Sequence, residues 1–433
     1  MKQETKLLAV GVTIAGMVVG CGANTNTNST TPNSGNSTNT GSAQTVPQVQ
    51  LNFLQNKPEV VTQWNKIIQE FHKKNPNITV KQVNPPNTDT ELQADVAKGQ
   101  VPDIIAMGAD ATFIQMANNG IFKSLAGRPE LAKVSPSYTK MLEAEVGKST
   151  PFALPYTANA VPIIYNQTLF KKYHVAVPTT WNQLIAVAKK IKAAGGTPFY
   201  NGWKDSWTIA VPWNALATNE EPANFFTQLK ANKTSFTKAL PTAAARMKQL
   251  SSLGNSNEFG TDYNDANSGF ANGKGAMYLQ GTWVLPVLRQ ANPNVKLGTF
   301  VFPATNQPSK TKMVSGIDSL LALANSGNST KEQAAMKFVD FLLQPAVATE
   351  YANVAGMFSP VKGAKMQDAA LRPLQSYITA GRVVDFADHY YPPAMAAGDQ
   401  YESLLQGALS KNQSAKSILQ QMDALYKQSA AHE

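Results

Sequence analysis

From Val49 onward the chain switches between two hydrophobic periods. Val49–Leu54 alternates polar and apolar positions and predicts a strand. Pro58 then opens a stretch that places Val60, Val61, Trp64, Ile67, Ile68 and Phe71 on one helical face and closes at Asn75-Pro76. Ile78–Val83 returns to the strand period. A helix around Thr90–Lys98 stops at Gly99, and Pro102–Met107 reads as a third strand. This spacing predicts a parallel sheet wound by helices on both faces. The pattern restarts with a strand over Ala160–Tyr165 and a helix over Thr180–Ala194, capped by Thr179 or Thr180 and ended at Gly195. Lys274–Leu279 and Lys296–Val301 predict further strands, and Tyr401–Lys427 is mostly helical. Helical periodicity assigns Trp64 and Trp181 to the core and leaves Trp213 balanced between core and site. Glu143/Glu145 and Glu220/Glu221 read as helix-surface charges.

At 433 residues, 43% of them apolar and 15% charged, the chain is long enough for two or three structural units and a large core. Thirty-eight basic against 28 acidic residues give a net charge of +10. The basic residues run no longer than pairs such as Lys73-Lys74, Lys171-Lys172 and Lys189-Lys190, which suits exposed helix faces and not nucleic-acid binding. The single cysteine excludes a disulfide framework and a multi-thiolate metal site, and four histidines (His72, His174, His389, His432) argue against a histidine-rich one. No metal or cofactor is expected. Nucleophile-elbow, zincin and dinucleotide motifs are missing. Gly269–Gly275 (GFANGKG) lacks phosphate-loop spacing and has Gly where Ser or Thr should hold magnesium. Nothing calls for catalysis, although a glycosidase needs only two carboxylates across a cleft, which a sequence does not exclude.

Lys2 and Lys6 precede a thirteen-residue apolar run, Leu7–Val19. That is the length of a signal-peptide core and falls short of the roughly 20 residues of a membrane span. Val18-Val19-Gly20-Cys21 resembles a bacterial lipobox, which implies cleavage before Cys21 and a diacylglycerol on its sulfur. Residues 1–20 are thus expected to be a lipoprotein signal peptide and 21–48 a tether. Of the 25 residues from Gly22 to Val46, 20 are Asn, Thr, Ser or Gly and none is charged, so the segment cannot offset its own ordering entropy. The expected location is the outer face of a Gram-positive cytoplasmic membrane, with the lipid as the only membrane attachment.

Five further segments stand in a telling order: Gly99–Ile105 (GQVPDII); Leu154-Pro155-Tyr156 through Ile164–Asn166 and Pro178–Trp181; Phe270–Met277 leading to Gly281-Thr282-Trp283; Lys337–Leu343; and Tyr351 through Ser359-Pro360-Val361. Together they resemble the family 1 extracellular solute-binding proteins of sugar ABC transporters, which include maltodextrin- and multiple-sugar-binding lipoproteins. The resemblance implies an α/β, two-lobed, periplasmic-binding-protein-like fold of type II character, with a ligand cleft between lobes and a hinge of several chain crossings. Lobe one is expected at 49–157 and 315–360, lobe two at 158–314 and 361–433. The implied function is capture of a carbohydrate, an oligosaccharide foremost, and delivery to ABC permease subunits by lobe closure, as a monomer and without catalysis. An extracellular glycosidase lipoprotein, or a binder of a polyamine or peptide, is the alternative.

A sugar presents C–H faces and a rim of hydroxyls, so its pocket needs aromatic platforms beside planar polar groups. Trp203, Asp205 and Trp207 offer that mixture; Asp205 reads as a bidentate ligand of a hydroxyl pair, with a turn cap as its other reading. Asn56 and Lys57 follow the first strand, where they bind hydroxyls or simply start the helix. Tyr156 and Asn159 sit at the first expected crossing, and Asp318 at the second, as hydroxyl ligand or hinge contact. The resemblance adds Trp283 as a stacking aromatic and Asp110 as a sugar-contacting acid, with a helix N-cap as its other reading. It also adds Asp388 and His389 in a late aromatic-rich loop.

Overall fold

The computed structural model describes residues 47–85, 88–396 and 399–431. The signal peptide, Cys21 and the tether up to Val46 lie outside the described residues. Among the described residues ten strands follow in chain order: β1 Val49–Gln55, β2 Ile78–Val83, β3 Ile104–Met107, β4 Ala153–Ala158, β5 Pro162–Asn166, β6 Met277–Tyr278, β7 Leu297–Val301, β8 Met313–Val314, β9 Ile317–Leu323 and β10 Val383–Val384.

The first sheet has the order β2-β1-β3-β9-β4. Its pleat sends Leu51 and Phe53 to one face, against Trp64 and Phe71 of the helix Val61–Lys74 and Phe338 of the helix Ser329–Leu342. Leu54 and Ile105 turn to the other face, against Phe113 and Phe122. Trp64 is fully buried and packs on Phe53, Tyr156 and Tyr351 with ring centroids 4.8, 5.9 and 4.3 Å away, the core position that its helical face predicts. β1 runs parallel to β2 and β3. The expected all-parallel sheet does not form, because β9 is antiparallel to both β3 and β4. The chain leaves this sheet along β4 and comes back along the adjacent β9, and neighbouring exit and return strands must point in opposite directions.

The second sheet, β6-β5-β7, is antiparallel, with Ile164 facing Tyr278 and Ile163 facing Phe300. The strand expected over Lys274–Leu279 shrinks to two residues. Lys274 N instead bonds Gly269 O to close the preceding helix, and Ala276 N bonds Thr197 O. Helices Trp207–Glu220, Pro241–Ser251, Gln400–Ser410 and Ala415–Ala430 pack beside it around Trp213, Met247, Tyr401 and Met422. The helix Trp181–Ala193 starts where Thr180 Oγ1 accepts from Gln183 N, and Gly195, at a φ of +78°, follows its end.

Three stretches carry the chain between the sheets and lie side by side. Residues 158–161 join β4 to β5, 314–317 join β8 to β9, and 358–361 lead back again. Ala158 bridges Phe358, Val161 bridges Val314, and Asn159 N donates to Gly316 O at 3.2 Å.

Candidate functional site

The turn after β1 brings Lys57 to the start of β9. Its Nζ lies 2.7 and 2.8 Å from the two carboxylate oxygens of Asp318, and Thr157 Oγ1 donates to the same carboxylate at 2.9 Å. The Lys57 backbone is fixed by donation from its N to Gln55 Oε1 at 2.7 Å. The lysine and aspartate side chains are 20% and 13% exposed, so the pair is sheltered but reachable. Asn56 is half-buried in the same turn. Asp110 approaches from the end of β3: a Cβ on Gly108 would stand 3.8 Å from Asp110 Oδ2 and 3.9 Å from Asp318 O. Asp110 Oδ1 accepts from Phe113 N at 2.9 Å and caps the helix Ala111–Asn118, as its N-cap reading predicts. Burial raises the Asp110 pKa, while that bond pulls it down. Lys57, Asp110 and Thr157, at the carboxyl ends of β1, β3 and β4, thus gather with Asp318, at the start of the antiparallel β9, on the edge where open α/β sheets bind ligands.

On the second sheet's side, Asp205 Oδ2 accepts from Tyr263 N at 2.7 Å, and Trp207 packs on Tyr263 with centroids 5.0 Å apart. Trp207 and Trp283 are both half-buried. The Trp283 indole lies across Gly281 so closely that a Cβ there would come within 2.0 Å of ring carbons. Its 3-10 turn is stitched to the first crossing, since Thr282 N donates to Ala160 O at 2.9 Å and Ala160 N to Thr282 Oγ1 at 3.2 Å. The aromatic platform is therefore anchored next to the hinge.

Several expected ligands are placed elsewhere. Tyr156 is fully buried between Trp64 and Tyr351, because the strand pleat turns it inward and gives its neighbour Thr157 the site-facing position. Trp203 is 1% exposed and packs on Phe259 in the core, where Gly202 lets the helix Tyr263–Ala271 come close. Trp213 is also core, its Nε1 donating to Tyr391 OH at 3.0 Å. Asn159 braces the crossings: its Oδ1 accepts from Gly316 N at 2.9 Å, and its carbonyl accepts from Ser315 Oγ. Asp388 Oδ2 accepts from Asn214 Nδ2 at 3.0 Å and from Tyr401 OH, which ties its loop to two helices.

His389 Nδ1 meets Asp385 Oδ1 at 3.0 Å and Glu145 Oε1 at 3.4 Å. Burial works against the imidazolium, but these two carboxylates outweigh it and hold the His389 pKa well above the usual histidine range. Glu145 is not the surface charge that helical position suggests, since its side chain is 3% exposed. Thr157, Tyr263, Glu145 and Asp385 are the residues that sequence reasoning missed. Asp385 alone carried a signal, an acid set inside the apolar run Val383-Val384-Asp385-Phe386.

Residues 56–349 match the family described as bacterial extracellular solute-binding protein. The multiple sugar-binding protein of Streptococcus mutans is 32% identical over 340 residues, covering 76% of this chain and 79% of that protein. The apo form of RafE from Streptococcus pneumoniae superposes with a TM-score of 0.78 at 23% identity, over 89% of this chain and 99% of that one. The binding protein MsmE of Bacillus subtilis, in an open conformation, gives 0.72 at 19% identity over 89% and 98%. The chain belongs to the bacterial extracellular solute-binding proteins and has their two-lobed fold.

Proposed function

We propose that this protein captures an oligosaccharide outside the cell and delivers it to the permease subunits of an ABC importer. The carrying observation is the pairing of a half-open polar cluster, Lys57–Asp318–Thr157, with half-buried tryptophans on the other lobe. That is the mixture of planar polar groups and aromatic faces that sugar rings require. The multiple sugar-binding protein of Streptococcus mutans supports a sugar ligand, as do the neighbouring structures in complex with raffinose and stachyose. An α-galactoside or α-glucoside is the preferred class. Asn56, Lys57, Asp110 and Asp318 would contact it from lobe one, Asp205, Trp207 and Trp283 from lobe two.

The mechanism is differential stability. Ligand touches both lobes only when they close, so binding shifts the open–closed balance, and the permease reads the closed form. The lobes divide at the three crossings, with 49–157 and 315–360 in one and 158–314 and 361–433 in the other. Closure requires no bond chemistry, and the ATPase is a separate chain. The protein works as a monomer held by lipid on Cys21.

A thermal-shift screen against mono-, di- and trisaccharides, polyamines and peptides tests this reading. A native-state ligand at a hundredfold excess over Kd stabilises by about 2.7 kcal/mol. A shift confined to one family of sugars is the expected result. Silence across sugars with a response to polyamines or peptides would overturn the ligand class, and hydrolysis of the bound sugar would overturn the receptor reading.

A further inference from the structure

Glu145, Asp385 and His389 converge from distant parts of the chain. Glu145 lies near the end of the helix Pro136–Val146, ahead of the first crossing. Asp385 follows β10 and His389 occupies the 3-10 turn Ala387–Tyr390, after the last crossing. One donor atom of each lies within 4.8 Å of the others. The two carboxylate side chains are 3% and 4% exposed, whereas the imidazole is 43% exposed. Apart from the 3.4 Å contact of Oε1 with His389 Nδ1, neither oxygen of Glu145 has a hydrogen-bond partner, nor has Asp385 Oδ2; Asp385 Oδ1 also accepts from Phe386 N at 2.8 Å. Buried carboxylate oxygens without donors are costly and call for a cation.

The charge count is uneven. One imidazolium balances one carboxylate and leaves the second, although both carboxylate side chains are buried. A divalent cation on a neutral imidazole balances both. The spacing also fits. Zinc bonds to nitrogen and oxygen of about 2.0–2.2 Å set neighbouring tetrahedral donors roughly 3.3 Å apart. The 3.0 and 3.4 Å distances from His389 Nδ1 bracket that value. An imidazole in the donor set favours a zinc-like ion over calcium or magnesium, which take oxygen ligands.

We propose that Glu145, Asp385 and His389 form a Zn²⁺ site, with Oε1, Oδ1 and Nδ1 as ligands and water in the fourth position on the exposed side of the ring. Ligation displaces the Nδ1 proton to solvent. It also ties the segment before the first crossing to the segment after the last, and so restrains the hinge.

The test titrates ZnCl₂, and CaCl₂ in parallel, into the full chain purified without a metal-binding tag and stripped with chelator. One zinc per chain and no calcium is the expected calorimetric result, with affinity lowered about tenfold or more in Glu145→Gln and His389→Gln. Circular dichroism checks that each variant is folded. Cobalt substituted into the wild type should show the visible bands of a tetrahedral site, which decides the matter even if a variant unfolds. No zinc uptake, equal uptake by both folded variants, or an octahedral cobalt spectrum would overturn the proposal.

Discussion

Asp318 carries three contacts that no short stretch of sequence contains together. Its position and that of Lys57 were legible as polar residues at strand ends. Their pairing was not, because only the register β1–β3–β9 brings residues 57 and 318 side by side. Asp318→Asn is predicted to weaken sugar binding by an order of magnitude or more while costing little stability, since a partly exposed ion pair contributes about 0–1 kcal/mol. Calorimetric titration with raffinose and a thermal melt separate the two effects. Gly281→Ala should act on Trp283 without touching the ligand itself. The added methyl occupies the space of the indole, so affinity should fall, the tryptophan emission should shift, and the overpacking should cost about 1–3 kcal/mol of stability in the melt. Tyr156 and Trp203 show where residue type misleads. An aromatic beside a polar neighbour is equally compatible with core and cleft, and the pleat decides between them.

Most elements were readable because their hydrophobic periods are clean. VQLNFL became β1, and Trp64, Ile67 and Phe71 became a buried helix face. What the period does not carry is strand direction. From Leu320 to Leu323 β9 is apolar on both faces, and nothing in Ile317–Leu323 reveals that it runs against β3 and β4. The hinge is an element-scale object as well, made of short bridges and the Asn159 side chain. Asn159→Ala leaves the buried Gly316 N–H without its acceptor, at a predicted cost of about 1–3 kcal/mol in chemical denaturation. It should also change the sugar affinity, because the open–closed balance pivots on the same contact. Unchanged stability would mean that the backbone bridges alone hold the crossings.

Over the whole molecule, buried glutamates set the response to pH. Burial pushes Glu221, Glu258 and Glu402 up to about 7 from an unfolded value near 4.5. A carboxyl group raised in the fold stabilises it fully below its unfolded pKa, and that contribution is lost as pH rises through the folded value. The protein should therefore be more stable near pH 5 than near pH 8. Glu258→Gln should flatten the slope; a wild-type melting profile that rises with pH over this range would contradict the prediction. The two-lobed fold was legible from the order of its segments, whereas these buried acids were not, since burial is a property of the packed chain. A sugar held between Asp318 and Trp283 should depend on that indole, which calorimetric titration of raffinose into the wild type and Trp283→Ala measures. The expected result is one site on the wild type and a loss of affinity of about a hundredfold in the variant, on the order of the 2–4 kcal/mol that a buried aromatic anchor carries. Equal binding to both proteins would contradict it.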